Sequence, residues 1–450
     1  MTATATHRRS RRWLVPILAP MVVAIVGCSS TASPAPSSAP ASVTPSIAAP
    51  SAAPSAIASL QPATPAPTAS PVASAVPSAG PSALPAIGLA PAGSWTSLRW
   101  LPLGKVVPLG PTGVSVQGWS GGYIALEQSP GSDAQGNEVP VTIRASASND
   151  GVHWSEPTTL KTGFKGQENI QTIVEGPSGL LALAFPYGDT CGGPESLSAM
   201  WSSADGRTWE RLPMPKAFTT GSVETITGGG AGFIALGTRD RAGAQAIWTS
   251  PDGRTWTARA LPTVSSGTLA LDAAQSFADG FVLLGSVLGQ DGCGGPAHIH
   301  PAAWFSTDGT AWTRTSLPGA STDKFASLHV RPLLGRLFVT QDLPGNDTTM
   351  KGWTSTDGRT WSATPPVRHD LFWGTSAESD HSIGLVYGDN GGQPQVFGLD
   401  QNGQGVTLAQ SGDGPVQTDA SLSTTIGIGP TGLVALQEDA AQTWLGVPGS

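Results

Sequence analysis

Residues 250–256 read Ser250-Pro251-Asp252-Gly253-Arg254-Thr255-Trp256, and the chain repeats this pattern four more times. The other copies occupy 148–154, 203–209, 306–312 and 355–361, and all five match Ser-x-Asp-Gly-x-x-Trp. Their Asp residues are 55, 47, 56 and 49 positions apart. A recurring period of this length is typical of folds built from a series of similar small sheets.

The repeated residue types predict a hairpin turn followed by a strand. Asp-Gly favours a tight hairpin because glycine accepts positive φ, while the Asp carboxylate and the Ser hydroxyl can accept amide protons of the turn. The Trp supplies a large apolar surface for packing one sheet on the next. We therefore assign structural roles to Asp150, Asp205, Asp252, Asp308 and Asp357, and to Trp154, Trp209, Trp256, Trp312 and Trp361.

These five copies resemble the Asp-box, or BNR repeat, of sialidases, sortilins and other β-propellers, although that motif usually has one more residue between Asp and Gly. The resemblance implies an all-β propeller in which each box joins the third and fourth strands of a blade. It also implies that the box turns lie on the face opposite the usual ligand face.

A second repeat is a short apolar run upstream of each box, which predicts strands buried on both faces. Seven such runs occur, at 122–126, 179–183, 232–236, 280–284, 335–339, 382–386 and 432–436. The sixth unit has only a decayed box at 397–403, and the seventh stops near Trp444 before its turn. Residues 93–98 look like the missing last strand. We therefore predict a seven-bladed β-propeller over 93–450 whose N-terminal strand closes the last blade and removes an open sheet edge.

The N-terminus is predicted to be an export leader. Residues 1–27 have a basic start, an apolar middle from Trp13 to Gly27 and a small-residue end. The apolar middle is too short to span a membrane. Ile25-Val26-Gly27-Cys28 resembles the lipobox of bacterial lipoproteins, which implies that Cys28 carries the lipid and becomes the mature N-terminus. The segment 10–14 also resembles a twin-arginine export motif.

Residues 28–92 contain Ala, Pro, Ser and Thr with no charged residue, so this segment cannot bury enough surface to fold. We interpret it as a disordered tether, either a stalk through a cell-wall layer or a passive linker. The chain is thus predicted to be held outside the cytoplasm on the bacterial cell membrane.

The charge of the mature protein argues against a nucleic-acid partner. Removing the four Arg of the leader from 23 Lys and Arg leaves 19 against 31 Asp and Glu, a net charge near −12. Binding to phosphates requires the opposite sign. Two further cysteines, Cys191 and Cys293, lie in nearly identical loops, and an oxidising compartment favours a disulfide between them.

A candidate ligand face is formed by the loops that follow the seven apolar strands, because each loop carries a carboxylate. These residues are Asp133, Asp189, Asp240, Asp291, Asp347, Asp389 and Asp439. They would suit cations, basic peptides or sugar hydroxyls, or they are simply the polar residues of long loops. His298 and His300 have a spacing that suits a metal on one strand face, but without a third ligand nearby we assign no metal and no cofactor.

Catalysis is not predicted. The Arg triad, the Arg-Ile-Pro motif and the Tyr–Glu pair that the sialidase resemblance would require are not found; Arg331-Pro332 is a poor match, and Tyr123 falls in a buried strand. The sequence favours a monomeric, non-catalytic module that binds a protein or glycan, or scaffolds one. Two alternatives remain, a sialidase-like glycoside hydrolase that uses loop carboxylates and an assembly factor for an envelope complex.

Overall fold

In the computed structural model, the described residues belong to one compact unit, Ala79–Ser450. They are 97–110, 113–129, 139, 141–160, 168–186, 197, 199–240, 242–289, 299–323, 326–333, 335–342, 349–368, 385–389, 394–399, 405–407, 409–412, 414–415, 424–437 and 442–449. The predicted leader, Cys28, the tether and the cysteine pair Cys191 and Cys293 lie outside them.

The described strands form seven sheets, here numbered from the N-terminus. The first sheet contains β2 (Val114–Trp119), β3 (Gly122–Gln128), β4 (Ile143–Ser148) and β5 (Thr158–Leu160). The second contains β6 (Glu168–Gly176), β7 (Gly179–Pro186), β8 (Ala199–Ser203) and β9 (Glu210–Leu212). The third contains β10 (Ser222–Gly229), β11 (Gly232–Thr238), β12 (Gln245–Ser250) and β13 (Thr257–Arg259), with a short 3-10 helix, Lys216–Phe218, before it.

The fourth sheet contains β14 (Thr268–Phe277), β15 (Gly280–Leu288), β16 (Ile299–Ser306) and β17 (Thr313–Ser316). The fifth contains β18 (Leu328–Leu333), β19 (Arg336–Gln341), β20 (Thr349–Ser355), β21 (Ser362–Ala363) and β22 (Val367–Arg368). The sixth contains β23 (Leu385–Asp389), β24 (Pro394–Leu399) and β25 (Gly405–Thr407). The seventh contains β26 (Ala409–Ser411), β1 (Ser97–Gly104), β29 (Gln442–Pro448), β28 (Gly432–Gln437) and β27 (Thr424–Gly429), in that spatial order.

Within the first four sheets the strands follow one another in chain order and pair antiparallel, so each sheet is a meander. Six of the apolar runs predicted from the sequence fall on β3, β7, β11, β15, β19 and β28; the sixth run overlaps β23, and its residues 382–384 lie outside the described part. The box sequences lie between the third and fourth strands of sheets one to five.

The second strands are buried on both faces, as their continuous apolar sequences predict. In β3, Ile124 and Leu126 pack with the second sheet, whereas Tyr123 and Ala125 pack with the seventh. Successive side chains of a strand point to opposite faces, so one strand can pack against both neighbouring sheets. With three more clusters of this kind, the face-to-face contacts form a continuous series from the seventh sheet through the first to the fifth. The chain is therefore an all-β protein of stacked small sheets with the arrangement of a β-propeller.

The seventh sheet combines the two ends of this unit. β1 pairs antiparallel with β29, and Leu98 lies opposite Pro448. The strand runs further along the chain than the sequence predicts, since it extends to Gly104 and places Pro102 opposite Trp444. β26, which was not predicted from the sequence, pairs parallel with the other edge of β1. No helix among the described residues is long and apolar enough to cross a membrane.

Candidate functional site

The first strands of six sheets surround a cavity of about 900 Å³, which we call the channel cavity. Its walls are formed by β2, β6, β10, β14, β18 and β27. The corresponding segment of the sixth sheet precedes Leu385 and lies outside the described residues. Because backbone hydrogen bonds fix every wall strand within its own sheet, the cavity is preformed, as small-molecule sites usually are.

Charged side chains of both signs line the channel cavity. Asp272 comes from β14, His329 and Arg331 come from β18, and Glu175 comes from β6. The His329 ring is held by Asp342 at the end of β19, with 3.1 Å between Nε2 and Oδ2. These groups give the channel cavity a polar wall that suits a charged or hydroxylated ligand.

Hydrogen bonds between neighbouring sheets fix the wall near the turns that end the first strands. Glu175 accepts hydrogen bonds from the backbone N–H and the hydroxyl of Ser120 in the first sheet. In the same region, the Gln117 amide donates to the backbone oxygen of Ile173 at 2.6 Å. Thr356 of the fifth box turn also lines the channel cavity, so the cavity reaches the face that carries the box turns.

Asp272 is the most perturbed carboxyl of the cavity wall. Although water reaches it, the surrounding protein removes part of its hydration and raises its pKa to about 6. A hydrogen bond from the Leu328 backbone N–H and the charge of His329 act in the opposite direction but are outweighed. Near neutral pH the folded protein therefore keeps an ionised carboxylate in a place that disfavours its charge.

Because the folded state is destabilised by the ionised Asp272 carboxylate, we predict that Asp272→Asn stabilises the protein at high pH. The folded-state pKa lies above the unfolded value of about 3.9, so the folded state loses stability as pH rises from about 4 through 6. A shift of two pKa units corresponds to nearly 3 kcal/mol; because water reaches the side chain, we expect about 1 kcal/mol. Urea unfolding at pH 4 and pH 8 should show equal stability at the lower pH and a gain for the variant at the higher. An equal difference at both pH values contradicts the assignment.

Of the seven carboxylates predicted to form a ligand face, only Asp240 lies in a described loop. Its Oδ1 accepts the backbone N–H groups of Ala242 and Ala244 at 3.0 and 3.4 Å, so this carboxylate stabilises its own turn. Asp389 is the last residue of β23, and its side chain is outside the described part. The five others, Asp133, Asp189, Asp291, Asp347 and Asp439, also lie outside it. The predicted acidic ring thus stays a prediction.

Two other sequence candidates can be placed. His300 is exposed on β16, whereas His298 lies outside the described residues. The described residues contain no group of three metal-binding side chains. Tyr123 is fully buried, its hydroxyl donates to the Gly432 backbone oxygen, and burial raises its pKa to about 12. Tyr123 therefore connects the first sheet to the seventh and does not face the channel cavity.

The box turns form the hydrogen bonds that their sequence predicts. In the fifth box, the Ser355 hydroxyl accepts the backbone N–H of Gly358 at 2.8 Å. Oδ1 of Asp357 accepts the backbone N–H groups of Arg359 and Thr360, both at 2.8 Å. The pattern recurs in the other boxes, where the Asp again binds two successive amides.

Each box also contacts the preceding sheet. Gly253 has φ +71°, and a Cβ there would come within 2.8 Å of Leu181 in the second sheet. The box Trp residues pack in the same intersheet clusters, as Trp209 does between the first and second sheets. Arg207 donates to Asn149 of the previous box at 3.0 Å. Contacts that recur from sheet to sheet indicate a packing role for these turns.

The turn hydrogen bonds also stabilise the ionised carboxylates. Partial burial acts to raise the pKa of Asp357, but hydrogen bonds from Thr360, Arg359 and Ser355 outweigh it and lower that pKa to about 2. Asp150 behaves alike, because bonds from His153 and Val152 outweigh burial and lower its pKa to about 2. The pKa of Asp308 is lowered as well, mainly by the Thr310 hydroxyl.

We expect Asp357→Ala to destabilise the protein by about 1–2 kcal/mol at pH 6, because it leaves two turn amides without their acceptor. The folded pKa lies below the unfolded value, so this contribution is present above about pH 4 and is lost as pH falls towards 2. Chemical unfolding at pH 6 and pH 2.5 measures it. Asp279→Ala is the control, since Asp279 is an exposed carboxylate 3.3 Å from Arg359 and should matter little. Equal losses for both variants would show that the turn bonds contribute nothing specific.

Of the four charged residues that line the channel cavity, only Arg331 was considered from the sequence, and Asp272, His329 and Glu175 were missed. Asp272 interrupts an apolar run, Leu269-Ala270-Leu271-Asp272-Ala273-Ala274, and a charge inside such a run is the signal that could have identified it. His329 and Arg331 alternate along β18, which places them on one face.

No family model matches the chain, and no curated protein matches it. Several solved structures are similar at low identity. A protein of unknown function from Dyadobacter fermentans is 12% identical with a TM-score of 0.36, and the alignment covers 69% of this chain and 97% of that one. The α-L-arabinofuranosidase Arb93A from Fusarium graminearum, in complex with an iminosugar inhibitor, is 11% identical with a TM-score of 0.33, covering 70% and 97%. The Aleuria aurantia lectin, in complex with α-methyl-L-fucoside, is 11% identical with a TM-score of 0.31, covering 72% and 99%. At these TM-scores the fold of this chain rests on its own strand pairing.

Proposed function

We propose that this protein is a non-catalytic binding module whose ligand, a glycan or a segment of a protein, occupies the channel cavity. The observation that carries this proposal is a cavity of about 900 Å³ walled by strands of six sheets and lined by charged groups of both signs. Its volume lies within the range of about 300–1,000 Å³ that is typical of ligand sites. Rigid wall strands hold the polar groups in place before the ligand arrives.

The proposal includes a closed ring of seven blades with Asp-box turns. The seven sheets and the pairing of β1 with β29 support it. In a ring of this kind the first strands converge on one axis, and the space that they leave becomes a single central site.

The test is a binding screen with the full-length protein purified in detergent, using oligosaccharides and short peptides as ligands and ligand-observed NMR as the readout. Thr225→Trp fills the channel cavity from β10 and should abolish binding. Asp240→Ala alters the predicted loop face and should leave binding intact. If Asp240→Ala removes binding and Thr225→Trp does not, the ligand site is on the loop face and the channel proposal is wrong. Hydrolysis of a fluorogenic glycoside by the wild type, lost in Thr225→Trp, would overturn the non-catalytic assignment.

We also propose that lipid on Cys28 and the tether over 28–92 hold this module on the outer side of a bacterial cell membrane. The leader and the lipobox-like Ile25-Val26-Gly27-Cys28 support it. Cys28→Ser removes the thiol that the lipid would need. In a bacterial host that processes lipoproteins, we expect wild type in the membrane fraction with a lipid-sized mass increase, and the variant without that increase. Identical masses would exclude lipidation.

A further inference from the structure

Three consecutive first strands carry a β-bulge at the same level. The register shifts between Ile170 and Thr172 in β6, between Val223 and Thr225 in β10, and between Leu271 and Ala273 in β14. The extra residues are Gln171, Glu224 and Asp272, each five positions before the end of its strand. A bulge leaves the extra residue outside the ladder and changes the direction of its side chain. In β14 this residue is the carboxylate that lines the channel cavity.

A glutamine of the preceding sheet fixes the backbone at two of these bulges. The Gln245 amide donates to the Leu271 backbone oxygen and accepts the Leu271 backbone N–H, both at 2.9 Å. Gln128 forms the same pair of bonds with Ile170 at 3.1 and 3.2 Å. Backbone groups at a bulge need partners other than the ladder, and these glutamines supply them. Gln245 therefore holds the backbone next to Asp272 from the third sheet.

The positive group that acts on Asp272 is His329, which already has a carboxylate partner of its own. Asp272 forms no ion pair within the described part of the chain, and its carboxylate accepts the backbone N–H of Leu328. The nearby His329 ring is already bound to Asp342. Arg331 lies two residues further along β18 towards the box face, and Glu175 of β6 also lines the channel cavity. Glu224, the bulge residue of β10, adds a further negative charge at the same level, and burial raises the pKa of both bulge carboxyls.

We propose that Asp272 binds a primary ammonium group of the ligand in the channel cavity, and that Gln245 is the positioning residue that holds Asp272 there. This inference rests on the proposed binding function and names the chemistry that the site selects. A carboxylate without an ion pair in a concave, partly dehydrated wall gains most from a charge-assisted hydrogen bond. Lysine side chains and amino sugars both present the required group.

The experiment measures dissociation constants by calorimetry for the full-length protein in detergent. The ammonium probes are the terminally blocked peptide acetyl-Gly-Lys-Gly-amide and glucosamine, and the neutral counterparts are acetyl-Gly-norleucine-Gly-amide and glucose. We expect Asp272→Asn to weaken binding of the preferred ammonium probe at least tenfold and Gln245→Leu to weaken it three- to tenfold. Gln128→Leu is the matched control, because it removes the same pair of backbone bonds at a bulge without a cavity carboxylate, and it should change affinity less than twofold.

The pH profile separates positioning from general damage to the fold. Wild-type affinity for the ammonium probe should rise as pH increases from 5 to 7, since Asp272 ionises in this range, and the profile of Asp272→Asn should be flatter. His329 and Arg331 face the same cavity in both proteins, so the difference between the two profiles is the measurement. The lower dissociation constant, that of the lysine peptide or that of glucosamine, shows which class of molecule supplies the ammonium group.

Three results would overturn the inference: equal binding of ammonium and neutral probes, unchanged affinity in Asp272→Asn, or equal losses in Gln245→Leu and Gln128→Leu. Thr225→Trp separates this failure from failure of the proposed function. If it blocks a ligand from the wider screen while Asp272→Asn does not, the channel cavity is a binding site without an ammonium anchor. If Thr225→Trp blocks nothing that the protein binds, the proposed function fails as well.

Discussion

Gly118→Ala is expected to destabilise the protein by more than about 3 kcal/mol, because the added Cβ has no space between the first and seventh sheets. A Cβ at Gly118 would lie 1.7 Å from the backbone oxygen of Ile428. Two first strands are in direct contact here, and Thr425 of β27 also accepts the Val116 backbone N–H at 3.0 Å. Backbone cannot move aside as a side chain can, so the substitution must separate β2 from β27.

The control for this prediction is Gly110→Ala, whose Cβ would meet the end of the flexible Glu127 side chain. Glu127 is 13% exposed and paired with Arg144, so we expect a cost of about 1 kcal/mol, well below that of Gly118→Ala, since the end of a side chain can shift where backbone cannot. Urea unfolding gives both values. Hydrogen exchange should show that Gly118→Ala lowers protection first in β2 and β27. A loss for Gly118→Ala no larger than that of its control would mean that the first and seventh sheets do not pack as described.

The sequence predicts the repeated parts of the fold because packing imposes the same demands on every sheet. A strand that packs against two neighbouring sheets must be apolar on both faces, and the runs that begin at Gly122, Gly179 and Gly232 show this directly. The box turn needs Asp as an amide acceptor and Gly at positive φ, so its sequence is equally constrained. These two patterns were enough to predict an all-β repeat fold and the pairing of the N-terminal strand with β29.

The first strands were not predicted, and the candidate site was missed with them. Consecutive residues of these strands line the channel cavity, so their sequences are not continuous apolar runs; Val114-Ser-Val-Gln-Gly-Trp119 instead alternates buried and partly buried positions, a pattern that does not distinguish a cavity wall from an ordinary surface strand. A bulge comes from pairing between strands, and the sequence of β14 alone does not show that Asp272 is the extra residue. The partners of Asp342 and Gln245 lie in other strands and other sheets, so spacing along the chain cannot reveal them. Sequence reasoning placed the site on loops for the same reason, since loop carboxylates are visible without any pairing.

Trp100→Ala is expected to cost about 3–5 kcal/mol, the usual range for removing a buried Trp side chain. Trp100 is 2% exposed and lies near the middle of β1. A Cβ at Gly446 of β29 would come within 2.9 Å of its ring, and one at Gly414, just beyond β26, within 2.5 Å. Its Nε1 donates to Oε1 of Gln410 in β26 at 2.9 Å. The Trp100 side chain therefore packs β1 against both of the strands that pair with it, β29 and β26.

Loss of Trp100 should act mainly on the seventh sheet, because the other sheets pair without β1. We expect hydrogen exchange in Trp100→Ala to accelerate in β1 and β29, while β10 to β13 of the third sheet keep their protection. Trp209→Ala is the matched control: the Trp209 side chain is only partly buried, packs between the first and second sheets, and donates within its own turn to the Gly206 backbone oxygen at 2.8 Å. Its effect should be smaller and should leave β29 protected. If Trp100→Ala lowers protection equally in the third and seventh sheets, the unit unfolds as a whole and β1 is not a separable closing strand.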